Sequence, residues 1–314
     1  MALHTLLPDA RTLHGAFSRE IAPILTIAAG DTVRVRTLDA DWNLEPRTST
    51  RYAEKPPQFE PRPVGQENGH ALTGPIAIDG AEVGMTLGVQ IGDVRPGAYG
   101  FTAVGGWPHP INQRLGVADE GTYLLWTLDA EKMVGRNQYG QSVALRPFLG
   151  VMGMPPAESG LHSTVPPRPT GGNLDCKELV AGSTLYLPIA VPGGLFSVGD
   201  GHARQGDGEA AITAIECPME AVDLTFSLHP DMPLAMPRAH TPAGWITFGL
   251  HESLDEAALL ALQGMVDLLC ELYGLSRHQA LGMASAVVDL RITQMVNQVK
   301  GVHAVLPHGA FQQL

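Results

Sequence analysis

Short stretches of alternating apolar and polar residues recur along the first 230 or so positions of the chain. A period of two is typical of half-buried β-strands, because successive side chains of a strand point to opposite faces. The pattern predicts strands at residues 32–38, 85–91, 184–191, 211–216 and 221–228, with glycines and prolines mainly between them. Many short strands at close spacing predict a mainly β fold, with a sandwich or jelly-roll-like core in one domain or in two β subdomains.

The apolar period becomes helical beyond residue 250. Ser253 and Glu256 have capping-box spacing, apolar residues follow at helical intervals, and Gly274 stands where a C-terminal cap belongs. Ser276 and Gln279 repeat the capping-box spacing and predict a second helix that ends near Leu290. The two predicted helices form a helical hairpin.

Two proline-rich stretches interrupt the β pattern, at residues 43–69 and 147–172. Loops of this length are often lids or pocket walls, and a solvated surface loop is the alternative. With these loops, residues 1–250 are predicted to form a β-rich catalytic core. Residues 251–314 are predicted to form the helical hairpin and a closing segment packed on that core.

Charge and cysteine content narrow the class of protein. The 314 residues carry 20 basic and 32 acidic side chains, for a formal net charge of -12, which argues against a nucleic-acid surface. No apolar run approaches the roughly 18 residues that span a bilayer, and Pro8 and Asp9 interrupt the stretch where a signal peptide would be apolar. Three cysteines without zinc-finger or Cys-x-x-Cys spacing argue against a disulfide framework. We expect a cytoplasmic protein that binds neither nucleic acid nor membrane.

The densest group of ionisable side chains lies between residues 195 and 216. It contains Asp200, His202, Asp207 and Glu209, interleaved with glycines. Residues two apart on an extended chain face the same side, with backbones about 6.6 Å apart, so Asp200 and His202 are placed to bind one ion. Zinc accepts both histidine nitrogen and carboxylate oxygen. The alternative is a polar hairpin loop whose aspartates accept hydrogen bonds from turn amides.

A second group, Asn173, Asp175 and Lys177, alternates in the same way. These side chains line one face if the segment is extended, and otherwise form a turn with a surface ion pair. Cys176 with Lys177 as its base is disfavoured as a nucleophile, because adjacent strand residues face opposite sides and no orienting third group is evident. The sequence contains no G-x-S-x-G elbow, P-loop or G-x-G-x-x-G motif.

These segments together resemble the acetamidase/formamidase family over nearly the whole chain. The similarity is most specific at residues 166–216 and extends to residues 23–39, 72–91 and 289–307. The resemblance implies a β-rich fold that hydrolyses formamide, acetamide or a similar short amide to the carboxylate and ammonia. It also favours a divalent metal, with zinc the expected ion, and a homo-oligomer of two or more chains.

The resemblance implies roles for individual residues. Motif positions predicted at the active site, in addition to Asp200 and His202, are Asp39, Asp175, Asp207 and Glu209. The residues predicted to hold the metal are Asp39, Asp175, Asp200 and His202.

Amide hydrolysis needs a strong nucleophile, stabilisation of the oxyanion and a proton for the leaving nitrogen. We expect Glu209 to act as the general base and to return the proton, with Asp207 or Lys177 orienting it. Asn173 and neighbouring glycine amides are the candidates for holding the oxyanion.

One position departs from the family pattern. Some relatives have a histidine immediately before the Gly-Gly-Asn segment, where this chain has Thr170. Either His14, His70 or His162 substitutes for it, or the substrate range differs. Two other functions stay open: hydrolysis of another C–N bond, in a cyclic amide or ureido compound, and a non-catalytic β-sandwich binding module with a structural metal.

Overall fold

The structure, a computed structural model, describes residues 1–311. Strands dominate, as the alternating pattern predicts. The strands are β1 (Leu3–Leu6), β2 (Leu13–His14), β3 (Ala16–Phe17), β4 (Leu25–Ile27), β5 (Thr32–Thr37), β6 (Leu72–Ile78), β7 (Thr86–Pro96), β8 (Tyr99–Gly105), β9 (Gly121–Asp129), β10 (Val134–Asn137), β11 (Ser142–Ala144), β12 (Phe148–Gly153), β13 (His162–Ser163), β14 (Gly171–Asn173), β15 (Thr184–Pro188), β16 (Phe196–Arg204), β17 (Ile215–Glu216), β18 (Met219–His229), β19 (Arg238–Thr241), β20 (Gly244–His251), β21 (Asp289–Gln294) and β22 (Lys300–Pro307). The helices are α1 (Pro110–Leu115), α2 (Leu254–Tyr273) and α3 (Arg277–Val287).

Two large sheets contain nearly all of these strands. The nine-stranded sheet has the order β1-β5-β18-β7-β15-β19-β20-β22-β21. The eleven-stranded sheet runs β11-β10-β9-β8-β17-β16-β12-β14, with β6 added beside β16 and paired in turn with β2 and β4. Most neighbours are antiparallel, whereas β1 with β5 and β4 with β6 are parallel. The mainly β fold with a two-sheet core is confirmed.

The main hydrophobic core contains inward side chains from both sheets. Val33 and Val35 of β5 alternate with exposed arginines, which is why the period of two is visible in the sequence. Phe196 of the eleven-stranded sheet packs edge-on against Phe226 of the nine-stranded sheet, with ring centroids 5.3 Å apart. Burial of one such side chain contributes about 1.5–3 kcal/mol, so contacts of this kind fix the two sheets against each other.

The C-terminal helices pack on one end of the nine-stranded sheet. Ala257, Ala261 and Met265 of α2 are buried together with Val302 and Ala304 of β22. The predicted boundary near residue 250 lies inside β20, which pairs with β19 on one side and β22 on the other. The segment after residue 250 therefore shares a sheet with the core, and the division into two units stays a prediction.

The ends of α2 and α3 show which of the predicted capping residues form caps. Gly274 adopts the left-handed C-cap conformation, and Ser276 and Gln279 form the full capping box. Ser253 is the N-cap of α2, but its side chain makes no capping hydrogen bond. The second helix ends at Val287 rather than near Leu290, because the next residues pair with β22 as β21.

Two other sequence predictions need correction. Residues 147–172 do not form one long loop, since β12, β13 and the first two residues of β14 lie within them. Of residues 211–216, only Ile215–Glu216 is a strand, and a turn precedes it. By contrast, residues 43–69 contain no strand beyond an isolated bridge between Asn43 and Gln58.

Among residues 1–311, no helix taken alone combines the length and hydropathy needed to cross a bilayer. The helices α2 and α3 meet that test only when counted together, across a bend of 110°.

Candidate metal centre and active-site pocket

Asp200 and His202 lie on the same face of β16, as their spacing predicts. Both side chains are almost completely buried, and Asp200 Oδ2 is 3.3 Å from His202 Nε2. The other ring nitrogen, Nδ1, is 3.0 Å from Gln205 Oε1. Gln205 therefore fixes the imidazole through Nδ1, while Nε2 points toward carboxylates.

Glu216 is a third member of this group. It lies opposite His202 in the antiparallel pairing of β16 with β17, so the two side chains share a face. Glu216 Oε2 is 3.2 Å from His202 Nε2. One imidazole nitrogen therefore faces two carboxylates, one from its own strand and one from the next.

Asp175 and Glu209 complete the group from two loops. Ligand atoms of Asp175, Asp200 and His202 lie within 4.8 Å of one another, and so do those of His202, Glu209 and Glu216. Asp175, Asp200 and Glu209 all adopt left-handed backbone conformations, with φ of 50°, 58° and 50°. Such conformations cost on the order of 1–3 kcal/mol each and concentrate at functional sites, where the surrounding structure holds them.

Burial sets the protonation of these carboxyl groups. It raises the pKa of Asp175 to about 7 and that of Glu216 to about 8, and with the nearby Asp175 it raises the pKa of Glu209 well above its usual range.

Burial alone would lower the pKa of His202, but the carboxylates of Glu216 and Asp200 outweigh it and raise this pKa well above its ordinary value. The pKa of Asp200 is lowered despite burial, chiefly because the positive charge of His202 favours its ionised form. If all four carboxyl groups were ionised, their negative charge would exceed the one positive charge of the imidazolium, so either protons or a cation must neutralise it.

The residues fit a divalent cation. Asp175 Oδ1 and Glu209 Oε2 are buried and have no hydrogen-bond partner among residues 1–311, which is costly for carboxylate oxygens unless an ion or proton satisfies them. Gly150 on β12 supplies space beside them, since a Cβ there would collide with Asp200 Oδ2 and Asp175 Oδ1. Carboxylate oxygens with one histidine nitrogen form a donor set that zinc accepts.

A pocket of about 450 Å³ opens onto this group. Asp200, Glu209 and Glu216 lie on its lining together with Asn173 and His70. Its walls include the aromatic side chains of Tyr52, Phe101, Trp107 and Tyr123. Buried carboxyl groups and aromatic rings thus line the same pocket.

The loop at residues 43–69 forms one wall of the pocket. Tyr52, Lys55, Gln58 and Arg62 from this loop all line it. Tyr52 is anchored by a hydrogen bond that its hydroxyl donates to the Gly105 carbonyl over 2.8 Å. The pocket-wall interpretation, rather than a solvated surface loop, therefore describes this segment.

Asp207 and Lys177 pair with each other outside the pocket lining. Lys177 Nζ is 3.2 Å from Asp207 Oδ1, and Arg291 donates to Asp207 Oδ2 over 2.7 Å. Arg291 also donates to the buried Glu178 over 2.7 Å. The expectation that Asp207 and Glu209 share one strand face is wrong, because residues 205–214 form no strand and the two side chains separate.

Asp39 lies apart from the other predicted ligands. Its Oδ1 accepts hydrogen bonds from the backbone N–H groups of Asp41 and Asn43, and its Oδ2 accepts one from the Asn43 side chain. Burial raises the pKa of Asp39 to about 7. Asp39 therefore closes the turn after β5, and the structure does not bring it into the groups of ligand atoms around His202.

Asn173 lines the pocket as an acceptor. Its Nδ2 donates to the Val165 carbonyl over 3.1 Å, which fixes the orientation of the amide, and its buried Oδ1 has no partner among the described residues. An oxyanion needs donors, so this orientation does not suit the predicted role of Asn173 in holding one. The free Oδ1 is suited to accept a hydrogen bond from an N–H group instead.

The three candidate histidines occupy different surroundings. His14 is buried, with Nε2 2.9 Å from Ser197 Oγ, and His162 is half-buried, with Nε2 3.1 Å from the Glu158 carbonyl. Neither lines the pocket, whereas His70 does. Thr170, at the position of the family histidine, donates from its hydroxyl to the Met154 carbonyl.

Three residues of the site lie outside the sequence predictions: Glu216, Gln205 and Asn297. Gln205 Nε2 donates to the Asp175 carbonyl over 2.7 Å, and Asn297 Nδ2 donates to Asp175 Oδ2 over 2.7 Å. Glu216 is the last residue of the predicted strand 211–216. A hairpin between that strand and β16 would have placed Glu216 at the site, and this was the signal available in the sequence. Asn297 had no local signal, because it follows β21, far along the chain.

Cys176 is completely buried, and burial raises the pKa of its thiol to about 12. A thiol in this environment is protonated at neutral pH, which agrees with the expectation that Cys176 is disfavoured as a nucleophile.

The fold and the centre define a β-rich protein with a buried carboxylate–histidine site beside a pocket. A profile of the Acetamidase/Formamidase family matches residues 4–163 and 159–313. The chain belongs to this family.

Individual relatives agree with that assignment. The chain is 28% identical over 249 residues to a putative formamidase of Schizosaccharomyces pombe and 26% identical over 249 residues to a formamidase of Methylophilus methylotrophus. Each match covers 63% of this chain and spans 59% of the relative's length. An acetamidase from Bacillus halodurans has a similar crystal structure, with a TM-score of 0.85, 26% identity, and coverage of 96% of this chain and 97% of that one.

Proposed function

We propose that this protein hydrolyses short aliphatic amides, such as formamide or acetamide, to the carboxylate and ammonia with the help of a bound divalent ion, for which we propose zinc. The observation that carries the proposal is the group of four buried carboxyls around His202, three of which line a polar pocket. Membership of the Acetamidase/Formamidase family supports the same reaction.

Asp175, Asp200 and His202 are the residues we propose to hold the ion, because their ligand atoms converge and Gly150 leaves room beside them. Such an ion, when bound, polarises a carbonyl and lowers the pKa of water toward about 7. Bound there, it would replace the protons that the raised pKa values of Asp175, Glu209 and Glu216 keep on these carboxyl groups.

Glu209 is the proposed general base. It lines the pocket, is 6% exposed, and its Oε2 has no partner among the described residues. From this position its carboxylate takes a proton from the attacking water and gives it to the leaving nitrogen. Expulsion of an amide anion at neutral pH is prohibitively costly, so this second transfer completes the reaction.

Asn173 is the proposed binding group for the amide nitrogen. Its Oδ1 is the acceptor that remains free after Nδ2 donates to Val165, and a primary amide carries N–H donors for it. A buried acceptor left unpaired would cost about 1–3 kcal/mol, so this contact favours amides over esters of the same shape.

Ammonia release across a panel of amides tests the proposal, with metal content measured on the same preparation. The panel comprises formamide, acetamide, propionamide and butyramide, with a cyclic amide and urea for the other C–N bonds. We expect turnover of the linear amides by protein that contains a divalent ion. Preference for the cyclic amide or urea favours the other C–N hydrolase, and metal-replete protein without turnover of any compound favours the binding module.

Oligomeric state and location remain proposals. We propose a homo-oligomer, which light scattering of the purified protein tests. We also propose a cytoplasmic location, which agrees with the free thiols of Cys176, Cys217 and Cys270.

A further inference from the structure

His70 connects the active-site pocket to a buried threonine. The histidine is half-buried and lines the pocket alongside Asp200 and Asn173. Its Nδ1 is 2.8 Å from Thr164 Oγ1, and its backbone N–H donates to the same oxygen over 2.9 Å. Thr164 is completely buried, so this oxygen has no access to solvent.

The contacts of Thr164 determine where the imidazole carries its proton. The threonine hydroxyl has one hydrogen to donate, and among the described residues the only acceptor within reach is His70 Nδ1. A buried hydroxyl hydrogen without an acceptor is disfavoured, so the hydroxyl donates to Nδ1 while its oxygen accepts the backbone N–H. In the neutral ring, Nδ1 is then the acceptor and the proton lies on Nε2.

The Nε2–H group is free to act. This group makes no hydrogen bond with any residue from 1 to 311. The nitrogen is not fully buried, and His70 lines the pocket, so Nε2–H is accessible from the pocket. The histidine thus presents a fixed N–H donor to the space in front of Asp200 and Glu209.

We propose that His70 is a catalytic residue of the hydrolysis, whose neutral imidazole donates a hydrogen bond from Nε2 to the substrate carbonyl oxygen and stabilises the oxyanion that forms there. This inference rests on the proposed function. It fills the place for which Asn173 is unsuited, because Asn173 offers an acceptor and an oxyanion requires a donor.

Thr164 has a positioning role in this arrangement. Its hydroxyl selects the tautomer that places the proton toward the pocket, and its two hydrogen bonds fix both the backbone and the ring of His70. A neutral imidazole held as an electrophile in this way is an established device for polarising carbonyl groups.

Three variants with steady-state kinetics and metal analysis test the inference. His70→Ala is expected to lose about 10²–10³-fold in kcat with little change in KM, the usual loss on removing one oxyanion donor. His70→Gln retains an N–H donor of similar reach and is expected to recover at least about tenfold relative to alanine. Thr164→Val keeps the shape but removes the hydroxyl, and we expect a loss in kcat of about tenfold. His278→Ala, at an exposed histidine of α3, is the matched control and is expected to match wild type.

Nitrogen-15 NMR of histidine-labelled protein gives a readout that does not depend on turnover. We expect the His70 resonances to show a protonated Nε2 and an acceptor Nδ1 in the wild-type protein, and Thr164→Val to shift this equilibrium. Protonation at Nδ1 would overturn the inference even if no amide were a substrate, whereas failure of the proposed function would be seen as absent ammonia release by wild type. Three further results would overturn it: His70→Ala turnover within about threefold of wild type, a loss confined to KM, and loss of the metal from His70→Ala.

Discussion

Asn297 donates a hydrogen bond from Nδ2 to Asp175 Oδ2 over 2.7 Å, although 122 positions separate the two residues in the chain. Asn297 is itself fixed, because its backbone N–H donates to Gln294 Oε1 over 3.1 Å. The turn after β21 thus orients one carboxylate of the candidate metal centre. The C-terminal part of the chain therefore completes the candidate metal centre, and it also completes the nine-stranded sheet.

We predict that Asn297→Ala weakens metal binding by about 10- to 100-fold, the usual effect of removing a partner that orients a metal ligand. Asp175 Oδ2 loses its donor in this variant, and a carboxylate without a fixed orientation binds an ion less well. Competition with a chelator of known affinity measures the change. Gln298→Ala, at the exposed neighbouring position, is the control; equal affinity of the two variants would show that Asn297 does not support the metal.

We predict that Glu209→Gln loses at least about 100-fold in kcat while it keeps its metal, since the amide has nearly the same shape and cannot carry the proton. Turnover and metal content are measured on the same sample. The control is Glu82→Gln, at an exposed glutamate outside the pocket lining. Wild-type turnover would remove Glu209 from the mechanism, and loss of the metal would show that Glu209, with His202 and Glu216, binds the ion instead.

We predict that the thiols are dispensable for chemistry. Cys176 is completely buried, so Cys176→Ala is expected to retain kcat within about threefold, and alkylation with iodoacetate, which carries no amide, is expected to leave the activity of the folded protein intact. Cys270, which is only partly buried, serves as the reporter that the reagent reaches accessible thiols. A folded Cys176→Ala protein without turnover would restore the thiol-nucleophile hypothesis.

Acid pH is predicted to destabilise the fold through His14. Burial lowers the pKa of His14 from 6.5 to about 4, so its contribution to stability is complete above pH 6.5 and is lost as the pH falls toward 4. The unfolded chain gains a proton in this range that the folded chain excludes. From pH 7.5 to pH 5 this linkage lowers the free energy of unfolding by about 2 kcal/mol.

Denaturant unfolding at the two pH values measures that contribution. His14→Gln is expected to be less stable at pH 7.5 but to show a smaller drop at pH 5 than wild type. His278→Gln, at an exposed histidine, is expected to keep the full drop. Equal drops for wild type and His14→Gln would show that His14 does not exclude the proton.

Local sequence patterns predicted the parts of the structure that depend on local geometry. The alternation of Asp200 and His202 on β16 follows from the two-residue period of a strand, and the Ser276 capping box follows from helix geometry. Strands such as β5 were visible in the sequence because one of their faces is buried and the other is exposed. These features need no knowledge of which strand lies beside which.

The remaining parts of the site depend on register and on loops. Glu216 faces His202 only because β17 pairs with β16 in one particular register. Alternation placed Asp207 and Glu209 on one face, but the chain turns there, and Glu209 adopts a φ of 50° that no strand pattern predicts. The resemblance to the family identified Asp175 as an active-site residue, yet it also included Asp39, whose carboxylate closes a turn.

The central claim is that a bound divalent ion at Asp175, Asp200 and His202 is required for amide hydrolysis. The most direct measurement is ammonia release from formamide and acetamide by one preparation before prolonged chelation, after it, and after zinc is added back, with metal content determined at each stage. We predict a loss of at least about 100-fold, equivalent to about 2.7 kcal/mol of transition-state stabilisation, and recovery as about one ion per chain returns. Asp200→Asn and His202→Ala are predicted not to recover. Undiminished turnover by folded protein that contains no detectable metal would contradict the account.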